Sequence, residues 1–450
     1  MKKTTGIIFV LAAALAAFVY FYDLKHTKSN AGDTPADTST TDTENQKPAF
    51  SVQSSDIASL SVQRGATTAS FEHRADGWYM TQPIATHADQ SVVDAIADEL
   101  GSVRVSRTLP SVGAQLSPYG LANPSVTIQF ATKNGAKHKL ELGTKDFSGV
   151  SVYGIVDDSK DVSLMSDAIL TSSDKPVDDF RDQTVLNFET TDASSFTLKN
   201  ESGEIAAEKK DTTWKIDKPR DVAADGSVVS GLLASVATAR VASFVDDASS
   251  DLSKYGLAHP PVTFRVVLNG GKFAELEVGK KEGDDYYARD ASRSAIFKIH
   301  DALYRSLSQK FFDFRDKLLI HADDADLTRM EYRDAKITAA CVKGASGEWA
   351  PEKPADAKAQ PVNCRVVWEA LKEAHAQEID DTPPASVTAV LAKPSIEVIL
   401  TGKSGKKIDI RLSAPNGKTV YARSSDSPVV MKLDKTIEAQ MNPVNPALHD

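Results

Sequence analysis

Two lysines in this 450-residue chain stand where a phosphate loop would place one: Gly402-Lys403-Ser404 and Gly417-Lys418-Thr419 match the end of that motif. The loop also needs a glycine five positions before the last one, so that the backbone can wrap a phosphate. Glu397 and Leu412 stand there, and both candidates fail. Gly344-Ala345-Ser346-Gly347-Glu348 misses the nucleophile-elbow pattern because its second glycine falls one place early. The histidines are scattered, without His-Glu-x-x-His or paired-cysteine spacing, so neither a metal site nor a cofactor is expected. Asp157-Asp158, Asp246-Asp247 and Asp284-Asp285 fall in predicted loops, where solvated turn residues are commoner than acid–base pairs. Tyr153, Tyr287 and Tyr421, with Arg289 and Arg423, could form a stacking surface, although packing between strands is the commoner use. No catalytic constellation survives. The chain reads as a non-enzyme.

What does recur is a loop. Leu116-Ser117-Pro118-Tyr119-Gly120-Leu121-Ala122-Asn123-Pro124 returns as Leu252-Ser253-Lys254-Tyr255-Gly256-Leu257-Ala258-His259-Pro260, and Tyr119 to Tyr255 is a shift of 136 positions. A worn third copy, Val390-Leu391-Ala392-Lys393-Pro394, follows the second at 134 positions, counted from Pro260 to Pro394. The expected fold class is α+β: an N-terminal transmembrane helix, then three tandem units of antiparallel sheet with a packed helix. The expected bounds are residues 1–26 for the anchor, 27–49 for a disordered linker, and 50–183, 184–317 and 318–450 for the units, the last degenerate.

Each unit carries a tryptophan followed five positions later by proline: Trp78 and Pro83, Trp214 and Pro219, Trp349 and Pro354. A tryptophan heading a strand plugs a core, and a proline that cannot donate to a ladder ends the strand. Asp89 is a plausible N-cap for a helix with Val92, Val93, Ile96 and Leu100 on one stripe. Asp225 precedes the stripe Val228, Val229, Leu232, Leu233 and Val236, and Cys364, Val367, Trp368 and Leu371 take the matching places in the third unit. Cys364 thus sits where the other units put valine. A buried, unbridged cysteine is the favoured reading, with a Cys341–Cys364 disulfide as the alternative. After the recurrent loop come alternating strands that end near Gly143 and Gly279, read as turns requiring positive φ. The first two units close on Phe180-Arg181-Asp182 and Phe314-Arg315-Asp316, whereas the third ends in Met441-Asn442-Pro443. A tripeptide present only where another unit follows reads as a junction, its Arg and Asp capping a helix or pairing across the joint.

Composition sets the outer limits. A 41% hydrophobic and 25% charged chain is ordinary for globular protein, and a net charge of −10 with both signs mixed gives no reason to expect nucleic acid. Met1-Lys2-Lys3 precedes an apolar run from Gly6 to Tyr22. The alternative is a cleaved signal peptide, but the run is long for one and carries Tyr20 and Tyr22 where an interface belt would lie. The expectation is a single-pass anchor in the cytoplasmic membrane with the bulk of the chain periplasmic.

These features resemble a bacterial family described as a domain of unknown function, number 4340. The resemblance rests on Trp78 and Pro83, the Asp89 helix, Tyr119-Gly120-Leu121, Leu140 to Gly143 and Arg181-Asp182. Their counterparts are Trp214, Tyr255-Gly256-Leu257, Leu276 to Gly279, Tyr287-Ala288-Arg289 and Arg315-Asp316. It implies a membrane-anchored periplasmic protein associated with ABC-transporter components of gliding-motility type. Protein partners in such an envelope complex are therefore expected, with binding to polysaccharide or peptidoglycan as the alternative.

Overall fold

A computed structural model describes residues 46–110, 115–352 and 362–444. The chain forms two compact units, which divide between Phe180 and Arg181.

The first unit holds a ten-stranded sheet. From one edge its strands run Thr86–His87, Gly77–Gln82, Thr67–Arg74, Ile57–Arg64, Val126–Thr132, Lys137–Lys145, Ser151–Val156, Val162–Ser166, Arg104–Leu109 and Lys47–Pro48. Two meanders therefore meet at their first strands, where Leu60 faces Phe130 across an antiparallel pair. The second unit contains two further sheets with the same strand order. One joins its meanders at Ala193–Asn200 and Val262–Leu268, the other at Leu327–Arg333 and Ile396–Gly402. Among the described residues the third sheet has no two-residue strand before its helix, and neither it nor the second has a counterpart of Lys47–Pro48.

Alternation along these strands buries one set of side chains against an amphipathic helix, with shorter helices such as Ala168–Ser173, Asp301–Leu307 and Thr436–Gln440 adding to the same cores. Helix Gln90–Ser102 buries Val93, Ile96, Ala97 and Leu100, capped by Asp89, whose carboxylate accepts from the amide of Ser91 at 3.1 Å. Helix Gly226–Ala237 buries Val229, Leu232, Leu233 and Val236 behind an Asp225 cap. Helix Cys364–Lys372 buries Cys364, Val367, Trp368 and Leu371, capped by Asn363. Trp78 and Trp214 are buried in their cores, whereas Trp349 is only partly covered. The tryptophan strands end at Gln82 and Lys218, directly before Pro83 and Pro219; Pro354 lies outside the described residues.

Two expectations are corrected. The class is not α+β with a transmembrane helix: antiparallel sheet dominates, and the helices packed on each sheet are short. Among the described residues no helix is long and apolar enough to cross a membrane, and residues 1–26 and most of 27–49 lie outside them. The second correction concerns the cysteines. Cys341 and Cys364 form a disulfide, not a free buried thiol pair. Cys341 faces Met330 across a strand pair, as Phe71 faces Leu60, and Cys364 occupies the place of Val93. The bridge thus links two positions that both lie in the main core in the first sheet.

The disulfide closes a loop across a sequence separation of 23, which lowers the entropy of the unfolded chain. Reduction, or a Cys341→Ala/Cys364→Ala double substitution, is expected to cost about 3 kcal/mol. Urea unfolding followed through Trp368 fluorescence, with and without reductant, checks this. Equal midpoints would contradict it.

Candidate functional site

The recurrent loops and the two closing tripeptides are the most distinctive groups, so their geometry decides what the recurring residues do. In the first unit Ser117–Tyr119 is one 3-10 turn, and Gly120 leaves it at φ 70°. Gly256 does the same at φ 71° after Leu252–Tyr255. That left-handed backbone favours glycine. The partner glycines act differently. Gly143 and Gly279 are not positive-φ turns, as first read; they lie inside strands Lys137–Lys145 and Phe273–Glu282. A Cβ on Gly143 would stand 2.0 Å from the carbonyl oxygen of Tyr119, and one on Gly279 2.1 Å from that of Tyr255. Glycine is required there because two backbones touch.

The loop so held covers the sheet face away from the helix. Leu121 packs with Ile155 and Val162, and Leu257 with Tyr255 and Ile296. Tyr119 meets Tyr153 edge to face at 4.9 Å, and Tyr255 meets Tyr287 likewise at 5.0 Å. Tyr255 also donates its hydroxyl to Asp246 at 2.9 Å. The Ala248 amide first, and this hydroxyl second, hold the Asp246 carboxyl below the ordinary carboxylate range. Arg289 is engaged by Glu277 through two hydrogen bonds of 3.0 and 2.6 Å. Tyr153 and Tyr287 therefore serve the loops rather than an open stacking row.

The tripeptides are junctions built on buried arginine. Phe314 is fully buried in the second core, and its carbonyl accepts from the Asp225 amide at 2.8 Å. Arg315 follows in extended backbone and reaches the third sheet, where both its terminal nitrogens donate to Asp381 at 2.9 and 2.8 Å. Arg220 lies 2.8 Å from the same carboxylate. Asp316 returns to the second sheet, its amide donating to the Ala223 carbonyl at 3.0 Å.

The earlier tripeptide is arranged alike within each unit. Phe180 is buried in the first core and accepts from the Asp89 amide at 2.9 Å. Arg181, in the second unit, is 3% exposed, lies 3.5 Å from the Phe244 ring centre and pairs with Asp247. Both arginine–aspartate pairs span 66 positions. In the third core the cap of the shorter helix, Asn363, stands directly before Cys364, and its amide donates to the Pro443 carbonyl at 2.9 Å, with valine after that proline.

Asp247 and Asp381 were the residues missed. Sequence alone makes Asp247 a solvated loop acid and gives Asp381 no role; the signal that finds both is their equal distance from each Phe-Arg-Asp. Other acids are engaged too: Asp157 accepts from the Lys139 amide at 3.0 Å, and Asp285 lies 3.0 Å from His300 Nδ1. Gly402-Lys403-Ser404 follows a strand into a hairpin turn, with the Lys403 amide on the Asp326 carbonyl at 2.7 Å. That turn and His321 line a cavity of about 320 Å³ over Leu327 and Ile408. Among the described residues, no group of three or more His, Cys, Asp or Glu could hold a metal ion.

With this geometry in view, the family match can be placed. The model of a family described as a domain of unknown function, DUF4340, matches residues 78–215 and again 214–389. The chain belongs to the DUF4340 family. Each match runs from one buried tryptophan strand, Trp78 or Trp214, onward through the Tyr-Gly loop and the Phe-Arg-Asp junction. Each DUF4340 match therefore begins in a strand of one sheet and ends past the junction, the first in strand Thr213–Lys218 and the second in helix Ala385–Leu391. A comparison with curated proteins finds no match.

Two predictions follow from these contacts. Gly279→Ala is expected to cost about 3 kcal/mol or more, because the new Cβ meets a backbone carbonyl that cannot rotate away. Gly231→Ala, with open space around it in the helix interior, is expected to stabilise by about 0.5–1 kcal/mol. Thermal unfolding of both proteins decides, and equal effects would refute the close-approach account. Arg315→Met leaves the Asp381 carboxylate with Arg220 alone and is expected to cost about 3 kcal/mol. Adding Asp381→Leu should recover a large part of that loss in a double-mutant cycle. Purely additive losses would show that the pair is uncoupled.

Proposed function

We propose that this chain is a non-enzymatic accessory or scaffold protein of the periplasm, held at the inner membrane by its N-terminal segment, in an ABC-type transport or gliding-motility-related envelope complex. The observation that carries the non-catalytic reading is where the recurring polar side chains make their bonds. Arg181 engages Asp247, Arg315 engages Asp381, and Tyr255 engages Asp246. Glycines that in an enzyme would bring backbone to a ligand here bring backbone to backbone.

The compartment draws support from two sides. The run Gly6 to Tyr22 behind Lys2 and Lys3 suits export with the N-terminus inside. The Cys341–Cys364 disulfide suits an oxidising compartment. The transporter setting rests on the family resemblance drawn from sequence. The common strand order of the three sheets further supports reading them as three copies of one unit. Such a protein would offer sheet faces and loops to protein partners.

Crosslinking in intact cells, followed by membrane purification and mass spectrometry, tests this. Permease or ATPase subunits of an ABC system are the expected partners. Recovery of wall polymer alone, with no transporter subunit, would overturn the proposal and move attention to Tyr421 and Arg423.

A further inference from the structure

Asp182 and Asp316 close equivalent tripeptides, and each fixes one carboxylate oxygen in the same way. Asp182 accepts from the Thr184 amide at 2.9 Å, and Asp316 accepts from the Leu318 amide at 2.9 Å. Their other oxygens meet different cations. Asp182 faces Arg293, 3.6 Å away, itself held by Asp290 at 3.0 Å and by the Val185 carbonyl at 2.9 Å. Asp316 faces His321 and hydrogen-bonds to its Nε2. An arginine keeps its charge at any pH the protein meets, whereas an imidazole titrates near neutrality.

We propose that the connector from Asp316 to His321 is a proton-gated latch between the second and third sheets, whereas the equivalent connector at Asp182 is locked at every physiological pH by Arg293. The two ends of the latch belong to different structures. Asp316 is tied to the second sheet through the Ala223 carbonyl, and His321 follows Leu319 and Ile320, which are buried in the third core. The intervening chain is held to the third core by one short antiparallel bridge, in which the Ala376 amide donates to the Lys317 carbonyl at 2.8 Å and the Leu319 amide to the Ala374 carbonyl at 3.0 Å, and the Lys317 ammonium donates back to the Asp313 carbonyl at 2.7 Å.

The charges around the pair favour the ionised form of both partners. Asp316 raises the His321 pKa above its ordinary value against the opposing effect of burial, and Asp426 adds to the rise. Burial alone would push the Asp316 carboxyl up, but the His321 contact, the Leu318 amide and the nearby His375 outweigh it and leave it lowered. The His375 ring is occupied by the Glu373 carbonyl at 2.7 Å, and Asp381 by Arg315 and Arg220, so neither replaces a latch partner. A raised histidine pKa contributes fully below the unfolded value and is lost as pH rises through the folded one. A lowered aspartate pKa contributes above the unfolded value and is lost as pH falls through the folded one. The latch is closed between those limits, in mildly acid to neutral medium, and opens on the alkaline side. A periplasm that acidifies would stiffen this one connector.

Amide hydrogen exchange on the full chain tests the latch, with rates corrected for intrinsic exchange and compared at about pH 6 and about pH 8. Residues 317–323 should exchange about threefold or more faster at the higher pH, relative to strand Ile396–Gly402, while residues 183–186 keep one ratio. His321→Arg should remove the difference by holding the connector closed at both values, and His321→Gln by leaving it open at both. His375→Gln should keep the wild-type response. A pH difference that survives in His321→Gln, or an equal difference at both connectors, would overturn the proposal.

Discussion

An arginine taken out of water must meet a carboxylate at hydrogen-bond distance, and both Phe-Arg-Asp tripeptides of this protein depend on that requirement. The tripeptide satisfies it by alternation. In extended backbone successive side chains point to opposite sides, so phenylalanine enters the core behind it and arginine enters the structure ahead. Arg315 has the extended conformation this needs, at φ −68° and ψ 145°. The phenylalanine carbonyl then becomes the acceptor for the helix-cap amide of its own core, so the end of the chain segment and the start of its helix are fixed together. The third core keeps the carbonyl contact through Pro443, with valine in place of arginine after it.

The Tyr-Gly loops obey a steric rule of the same kind. Glycine at 120 or 256 is required by a left-handed turn, and glycine at 143 or 279 by the carbonyl that the turn brings down. Neither is useful alone. In the third sheet both are gone together: helix Ala385–Leu391 replaces the turn, and Ser413 stands after Leu412 as Gly143 stands after Leu142. Ser413 is fully buried there, and its hydroxyl accepts from the Tyr421 amide at 3.0 Å. A side chain became possible at that position once the tyrosine carbonyl had left.

Much of the scaffold was legible in the sequence because it rests on local period. The helix stripes Val93-Ile96-Leu100, Val229-Leu232-Leu233 and Cys364-Val367-Trp368-Leu371 are the buried faces, and Asp89 and Asp225 are the caps. What was not legible depends on pairs far apart in the chain. Asp247 looks like any loop acid until it is set 66 positions from Arg181, beside Asp381 at the same distance from Arg315. Gly143 looks like a turn glycine because sequence shows that a side chain is missing and not what presses on the gap. The disulfide was obscured by a sound local argument: a cysteine in a valine position behaves as a small hydrophobe, and only the fold shows a second cysteine facing it. The helix stripes stand out by their period, whereas the dominance of sheet shows only when the eight to ten short strands of each sheet are paired across the chain.

The third core shows how one arrangement tolerates the loss of its usual supports. Its helix has 9 residues against 13 and 12 in the others, so more than half a turn of backbone hydrogen bonding is missing. Its tryptophan strand has shrunk to three residues, and Trp349 is only partly buried. Two of the large contacts that hold helix against sheet are thereby weakened. The disulfide acts at the point this leaves exposed, since Cys364 is the first residue of the shortened helix and Cys341 lies on the strand beneath it. A covalent link at the helix start holds the helix in place without requiring the side-chain bulk that Phe71 supplies in the first core. The cost is that this core's stability comes to depend on an oxidising compartment, a dependence the other two do not share.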